Sequence, residues 1–431
     1  MPAGDDPLAQ LLAGRYRDPE TGELLGAAAR SVVIEDSLAG RECELVAALD
    51  LGRRLALVAD DDTHAALGQR VERALASRFT VQRVVLGRAP HADADTLARL
   101  SAAIDPGIDA VVAVGSGTIN DLCKLAAIAR GCPQLVFATA PSMNGYTSLS
   151  ASITEGGLKR SVRAATPVAA FFDLGVLAAA PVRLIRAGLG DSICRPTAQA
   201  DWLLGHLVLD RPYREAPFAL LAADEPALLA QPRALVGGDL AAMRSLVHTL
   251  VLSGFGMTLA GGSYPASQGE HLLSHYIEMM RPPELPAALH GEQIGVCALA
   301  MARLQDRILA QEAPPIVRPT AVRHDDVLCR FGPERGEACW QELEAKRIDA
   351  VRAAQLTDRL ATSWSAIRDR IRSVALGYPR MAEVLAAAGA PTEPRDLGWP
   401  DAQLDDAIAH AREIRNRYTF LDFALDIAPP G

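Results

Sequence analysis

Along the first part of the chain, short apolar runs alternate with longer stretches of helical periodicity, in the order strand, turn, helix. Residues 54–60 (RLALVAD) predict a buried strand, followed by the acidic turn 60–63 and a helix over 64–78. Residues 81–87 predict the next strand and 91–104 the next helix. A third strand over 109–117 (DAVVAVGSG) opens onto a helix over 118–131, and 134–141 (QLVFATAP) is a fourth. From about residue 181 the texture changes to long helical periodicities, over 181–208, 234–254, 267–280 and 291–309, with few β-like runs. The pattern therefore predicts an α/β domain over residues 1–178 followed by an all-α domain over 179–431. The Pro-rich pieces 281–286 and 312–319 read as loops between helices, and no internal repeat is present.

A chain of 431 residues is too long for one comfortable core, so two domains with a cleft are expected. The net charge of −9 argues against nucleic acid as a partner, since phosphate backbones are bound through a basic surplus. No uninterrupted apolar run reaches the ~18 residues of a membrane span. The acidic N-terminus (MPAGDDPLAQLLAG) lacks the basic start and apolar core of a signal peptide, which points to a cytoplasmic protein. Seven scattered cysteines with no CxxC fit neither a disulfide framework nor a thiolate zinc site, and read as small buried hydrophobes.

On a helical wheel, His271, Ser274, His275 and Glu278 share one arc of roughly 100° within 267–280 (SQGEHLLSHYIEMM), and apolar side chains fill the rest. A helix that apolar is largely buried, and its narrow polar stripe holds histidines rather than the Lys, Arg and Glu of a surface. Taken alone, the stripe is either a metal-binding face or a pair of core histidines satisfied by hydrogen bonds. A third histidine, His290, stands at the start of the next helix, where its ring can turn back onto the first. Asp191, after the Gly-rich stretch 187–190, reads as a helix N-cap. One carboxylate and two imidazoles from three helices would also make the open ligand set of a catalytic divalent metal.

The second constellation is 111–124 (VVAVGSGTINDLCK). A buried strand ends in Gly115-Ser116-Gly117 and a helix begins, so backbone N–H groups and the helix dipole can hold a pyrophosphate. Lys124, one of three lysines in the chain, adds a cation to this reading. The hydroxyl-rich residues 138–148 (ATAPSMNGYTS) follow the neighbouring strand at the same sheet edge, and the two loops would line a nucleotide cleft. Both are also acceptable as plain β–α turns.

Taken together, GSGTINDLCK (115–124), TAPSMNGYTS (139–148), AGLGDSICRPTAQADWLL (187–204), GGSYPASQGEHLLSHYIEM (261–279) and LHGEQIGV (289–296) resemble the sn-glycerol-1-phosphate dehydrogenase family. That family lies within the iron-containing alcohol dehydrogenase, glycerol dehydrogenase and dehydroquinate synthase superfamily, and the similarity runs from LVADDDT (57–63) to IRNRYTFLD (414–422). The resemblance implies a Rossmann-like N-terminal domain for NAD or NADP and a helical C-terminal domain carrying one divalent metal. The metal would be zinc in the first place, with iron or nickel suiting the same donors. It implies Asp191, His271 and His290 as metal ligands, and His275 and Asn144 beside the reacting groups. Gly115, Ser116, Gly117, Asp121, Thr139, Ser142 and Ser148 would fall at the dinucleotide, with Asp60 near the adenosine ribose. The implied reaction interconverts dihydroxyacetone phosphate and sn-glycerol 1-phosphate in a homo-oligomer, with Arg195 and Lys159 as candidates for the phosphate. His275 would relay the proton and Glu270 would either orient an imidazole or serve as a helix-start acid.

Two departures stand close to the expected substrate. The family reads Pro-Ser-Met-Asp-Gly where this chain has Asn144, and Ser-Arg-Pro-Ala-Ser-Gly where it has Tyr264. An anion and a cation are lost together, which admits another polyol or sugar phosphate as substrate. A lyase or cyclase of the dehydroquinate synthase kind is the rival reaction on the same scaffold.

Overall fold

All four apolar runs form strands, and further strands that the pattern did not announce join them. The computed structural model describes residues 6–155, 158–282 and 287–428, with backbone alone at 158–160. Its main sheet comprises β1 (Ser31–Glu35), β2 (Arg54–Ala59), β3 (Thr80–Val85), β4 (Ala110–Gly115), β5 (Gln134–Ala138) and, after a hairpin, β8 (Ala169–Asp173). The strand order is β1-β8-β5-β4-β2-β3 and every pairing is parallel. β4 and β5 are buried at every position, which is why they are continuous apolar runs rather than alternating ones. The edge strand β1 is only half-buried along its length. An antiparallel hairpin of β6 (Ser150–Glu155) and β7 (Leu158–Arg163) stands apart from the sheet. A two-residue pairing of Tyr16–Arg17 with Leu24–Leu25 lies near the N-terminus.

The helices that matter below are α1 (Gly117–Arg130), α2 (Val182–Ile193), α3 (Arg195–Leu209), α4 (Leu240–Leu259), α5 (Gly269–Met280), α6 (His290–Leu309) and α7 (Phe420–Asp426). The chain divides into two compact units, each made of two segments. The first holds residues 1–192 and 215–262, and the second 193–214 and 263–431. The division differs from a boundary at 178/179, because the change in texture marks where strands stop, whereas the units follow packing. Helix α4 illustrates this: it packs on the helix Leu174–Ala178, on β1 and on the three short helices between 216 and 236, all in the first unit. Among the described residues α4 alone is long and apolar enough to cross a membrane by length and composition, and 67% of that stretch is buried inside the protein. It is apolar all round because it is a core helix. The second unit has a core of its own, in which Leu272, Leu273, Tyr276 and Ile277 of α5 meet Val296, Cys297 and Met301 of α6. All seven cysteines are free thiols. Of the Pro-rich loop expected over 281–286, residues 283–286 lie outside the described residues.

One local expectation is corrected. Asp191 is not an N-cap: it lies near the C-terminal end of α2, which runs straight through Gly188 and Gly190. Glycine there serves a close approach rather than a turn. A Cβ at position 188 would sit 1.7 Å from the carbonyl oxygen of Pro141, a backbone atom that cannot simply move aside. Gly188→Ala is therefore expected to destabilise the protein by about 3 kcal/mol, the upper range for overpacking, measured by urea denaturation.

Candidate active site

In the first unit the nucleotide candidates gather at the carboxyl edge of the sheet. From β2 the chain goes outward to β3, whereas β4 and β5 lie on the other side of β2, so the strand order reverses between β2 and β4. Open parallel sheets bind ligands beyond the strand ends at such a reversal. Asp60 follows β2 directly, Gly115 ends β4, and Ser116 and Gly117 open α1, whose fourteen residues present unpaired N–H groups and a positive dipole end. Asp60 is tied into a capping box: its Oδ1 accepts the Thr63 N–H at 2.7 Å, and its own N–H donates to Thr63 Oγ1 at 3.0 Å. Thr139 follows β5, buried, with its N–H donating to the Gly115 carbonyl at 3.2 Å. The buried Asp121 carboxylate accepts from the Ser152 N–H at 2.8 Å and from Asn120 Nδ2 at 3.1 Å, and so ties α1 to the hairpin.

Residues 139–148 are held from several sides. Tyr146 donates its hydroxyl to the Ala140 carbonyl at 2.7 Å and packs edge-on against Phe172. Thr147 Oγ1 donates to the Val251 carbonyl of α4 at 2.7 Å. The Asn144 N–H donates to Asp191 Oδ2 at 2.8 Å. Lys124 is the strongest constraint and corrects the reading of it as a phosphate cation. It is 1% exposed, and its Nζ donates to the carbonyls of Gly145 at 2.6 Å, Ser148 at 2.9 Å and Ser150 at 3.1 Å. Burial lowers its pKa to about 8, against the raising effect of Asp121. An ammonium whose three donors meet three backbone carbonyls is a clamp on the loop. Ser148 belongs to the same knot: it is buried, and its hydroxyl lies 3.0 Å from the Gly145 carbonyl and 3.1 Å from the Ser150 carbonyl, either of which can accept its one proton. Ser142 and Asn144 are half-buried beside it.

In the second unit the expected histidines come together. His271 and His275 lie one turn apart on α5, and His290 is the first residue of α6. The ring centres are 5.2 Å apart for His271 and His290, 5.8 Å for His271 and His275, and 6.2 Å for His275 and His290. The rest of the polar stripe fastens α5 to α6. Ser274 Oγ donates to Gln293 Oε1 at 2.9 Å, and Gln293 Nε2 donates to Glu278 Oε1 at 3.1 Å. Both readings of Glu270 hold at once: its fully buried Oε1 accepts the Gln268 N–H at 2.7 Å and lies 2.9 Å from His271 Nδ1. With a carboxylate on Nδ1, that nitrogen carries the ring proton and Nε2 keeps the lone pair, the form a metal requires. The Cys194 thiol lies within 4.8 Å of the same pair of groups and donates to the Ala266 carbonyl at 3.8 Å.

Beneath α5 is Asp201, which pattern reasoning missed because it sits inside the apolar run of α3. It accepts the Gly269 N–H at 2.9 Å, the Phe420 N–H at 2.9 Å and Gln305 Nε2 at 3.3 Å, so one carboxyl holds the N-terminal ends of α5 and α7. Arg195, at the start of α3, donates to Gln199 Oε1 at 3.3 Å, and burial lowers its pKa to about 10. The Lys159 side chain lies outside the described residues. His271 and His290 thus lie side by side within the second unit, while Asp191 belongs to the first unit.

Comparison with known proteins agrees with the motifs. Residues 33–181 match the family model described as iron-containing alcohol dehydrogenase. The glycerol-1-phosphate dehydrogenase [NAD(P)+] of Bacillus velezensis is 30% identical over 374 residues, covering 85% of this chain and 83% of the relative. The protein of that name from Thermococcus kodakarensis is 33% identical over 277 residues, covering 64% and 77%. Among solved structures, a probable glycerol dehydrogenase from Sinorhizobium meliloti aligns with a TM-score of 0.58 at 18% identity, covering 92% of this chain and 96% of that one. A sulfoacetaldehyde reductase from Bifidobacterium kashiwanohense aligns with the same score at 16% identity, covering 94% and 98%. At such identities these two establish the fold, an α/β domain with a parallel sheet followed by helices.

Burial, and then the charge of Glu270, push the Asp201 carboxyl up to about 8, although the Phe420 and Gly269 N–H groups and Gln305 pull it down. The unfolded chain releases this proton near the ordinary value of 3.8. Between those values the folded state holds the extra proton, so this carboxyl makes stability fall as pH rises from about 4 to 8. Asp201→Asn cannot ionise, so the stability advantage of wild type over the variant is expected to shrink by at least ~1 kcal/mol between pH 5 and pH 8, measured by urea denaturation at each pH.

Proposed function

Because the chain belongs to the glycerol-1-phosphate dehydrogenase family, we propose that it is an NAD(P)-dependent alcohol dehydrogenase that interconverts dihydroxyacetone phosphate and sn-glycerol 1-phosphate. The observation that carries the chemistry is the imidazole pair of His271 and His290, with rings 5.2 Å apart and one ring backed by a buried carboxylate. In this reading His271, His290 and Asp191 hold one divalent cation, zinc ahead of iron or nickel. When bound, the cation stabilises charge developing on the reacting oxygen and the nicotinamide carries the hydride.

The chain's own residues do the rest. Glu270 keeps the His271 ring in one orientation and one tautomer, so no reorganisation is needed as the reaction proceeds. The Asn144 N–H fixes one oxygen of the Asp191 carboxylate. His275 gives a proton to the former carbonyl oxygen during reduction and takes it back during oxidation, the task to which imidazole is suited near neutral pH. The turn Gly115–Gly117 and residues Asp60, Thr139 and Ser142 line the dinucleotide, which meets the N–H groups of α1. Asp121 and Ser148 serve that surface from behind by holding the hairpin and the loop. Asp60, a carboxylate at the end of β2, favours NAD over NADP because it would repel a 2′-phosphate. A cytoplasmic homo-oligomer is part of the same reading.

The test is stoichiometric oxidation of NADH by dihydroxyacetone phosphate in metal-loaded enzyme. A dehydrogenase consumes one NADH per turnover, whereas a lyase that restores its nicotinamide within the cycle gives no net change and would sink the reading. His271→Ala and His290→Ala are expected to lose bound metal and turnover together, and Glu270→Gln to weaken metal affinity by about 10- to 100-fold, measured by metal analysis after dialysis against a graded chelator.

A further inference from the structure

The second unit places a cation where the family motif lost one. At the position of the family arginine stands Tyr264, and the guanidinium of Arg417 lies over its ring, 4.9 Å from the ring centre. Trp202 stacks against Tyr264 with ring centres 5.7 Å apart and planes within 20°. Arg417 is locked from the other side, with Nη2 donating to Ser263 Oγ at 2.8 Å and Nη1 donating to the Ser267 carbonyl. Tyr264, Ser263 and Ser267 all belong to the segment that leads into α5 and His271, so Arg417 is fixed to the stretch of chain that carries the histidines. Two of the five N–H donors of a guanidinium are spent on these bonds and three remain. Among the described residues Arg417 makes no ion pair, and burial, then the charge of Arg415, lower its pKa to about 10 against the raising effects of Tyr264, Glu270 and Glu342. A half-buried guanidinium beside another cation, with the carboxylates of Glu270 and Glu342 acting on it only through space, is costly to keep. A dianion answers that cost, and the planar fork of arginine matches the oxygens of a phosphate.

We propose that Arg417, braced on the Tyr264–Trp202 stack and assisted by Arg415, is the phosphate-binding cation of the substrate site and selects phosphate monoesters over uncharged polyols. The assignment rests on the reading of the protein as a dehydrogenase of a phosphorylated ketone. Arg417 acts through binding, so the effect falls on KM rather than on kcat.

The test uses metal-loaded enzyme with NADH and compares dihydroxyacetone phosphate with dihydroxyacetone, which lacks the phosphate. Arg417→Met is expected to raise KM for the phosphate ester about 100-fold more than KM for the uncharged ketone, in line with truncation of a charge-assisted contact. Calorimetric titration with inorganic phosphate, a readout independent of turnover, should show the same loss. Arg417→Lys, which keeps the charge but not the fork, should recover roughly a tenth of the lost affinity and guards against a variant that fails for lack of folding. Parallel losses on both ketones, or phosphate binding unchanged in Arg417→Met, would overturn the proposal. The two readings fail separately. An enzyme inactive on dihydroxyacetone phosphate that still binds phosphate through Arg417 retains the subsite and loses the substrate. An active enzyme indifferent to Arg417→Met retains the substrate and loses the subsite.

Discussion

An ammonium group buried among backbone carbonyls sets the shape of the first unit's working edge. Lys124 projects from α1, the same helix whose first turn follows Gly115-Ser116-Gly117, and it binds the carbonyls of Gly145, Ser148 and Ser150. Those carbonyls belong to the loop after β5 and to the hairpin after it. The N-terminal helix end after Gly115-Ser116-Gly117 and the loop beside it are therefore held together as one piece. Apolar packing could not do this, because the loop turns its carbonyls inward, and carbonyls without donors in a dry interior would each cost ~1–3 kcal/mol. The charge is kept there because three carbonyls together replace the hydration of an ammonium. Asp191 completes the frame by holding the Asn144 N–H, while Gly188 lets α2 come close enough for that contact.

The second unit solves the complementary problem of presenting imidazoles in a fixed orientation within an apolar interior. Helix α5 is apolar over most of its circumference, and its polar stripe is consumed almost wholly by partners on α6 or by its own Glu270. Asp201 then pins the start of α5 to the start of α7. Two buried carboxyls, Asp201 and Glu270, thus stand close to one another, and the charge of Glu270 helps to keep Asp201 protonated. The arrangement gives the negative charge to the residue that touches His271 and the neutral acid to the residue that only positions the helix. The His271 imidazole gains basicity from the first, and the helix end loses little by the second, because N–H donors remain satisfied by a carboxyl of either charge.

Much of this was legible in the sequence, for reasons that separate local from tertiary signals. Strands β2, β4 and β5 announce themselves because both faces are covered, leaving apolar runs, whereas the edge strand β3 is largely uncovered and its run is broken by Gln82 and Arg83. The edge strand β1 and the last strand β8 are short and were missed, as was the hairpin β6–β7, whose alternation lies among serines and basic residues with no helix after it. The histidine cluster followed from helical spacing plus a helix start at His290, both local properties. Asp191 was misplaced as a cap because glycines before an acid usually mark a turn, and only the neighbouring Pro141 carbonyl shows why they sit in a helix here. Lys124 was given the wrong partner for the same reason. A lone lysine after a glycine turn reads as a phosphate cation until its burial is known. Asp201 and Arg417 left no local signal at all, since their roles come from segments up to 219 residues away in the chain.

The two departures from the family motif have different weights once their surroundings are known. At position 144 the side chain changes from carboxylate to amide, but the backbone N–H keeps its contact with Asp191, so the frame of the loop does not depend on the lost charge. A neutral amide there also removes an anion from the neighbourhood of Asp191, which eases the crowding of like charges. At position 264 the change is from guanidinium to phenol, and the phenol ring becomes the floor for another guanidinium. Aromatic faces attract cations, so Tyr264 keeps positive charge close to the place from which arginine was lost. The chain thus gives up one negative and one positive side chain of the motif, and in the second unit Arg417 returns a positive charge beside Tyr264. Within the second unit, positive charge therefore stays close to the segment that leads into α5.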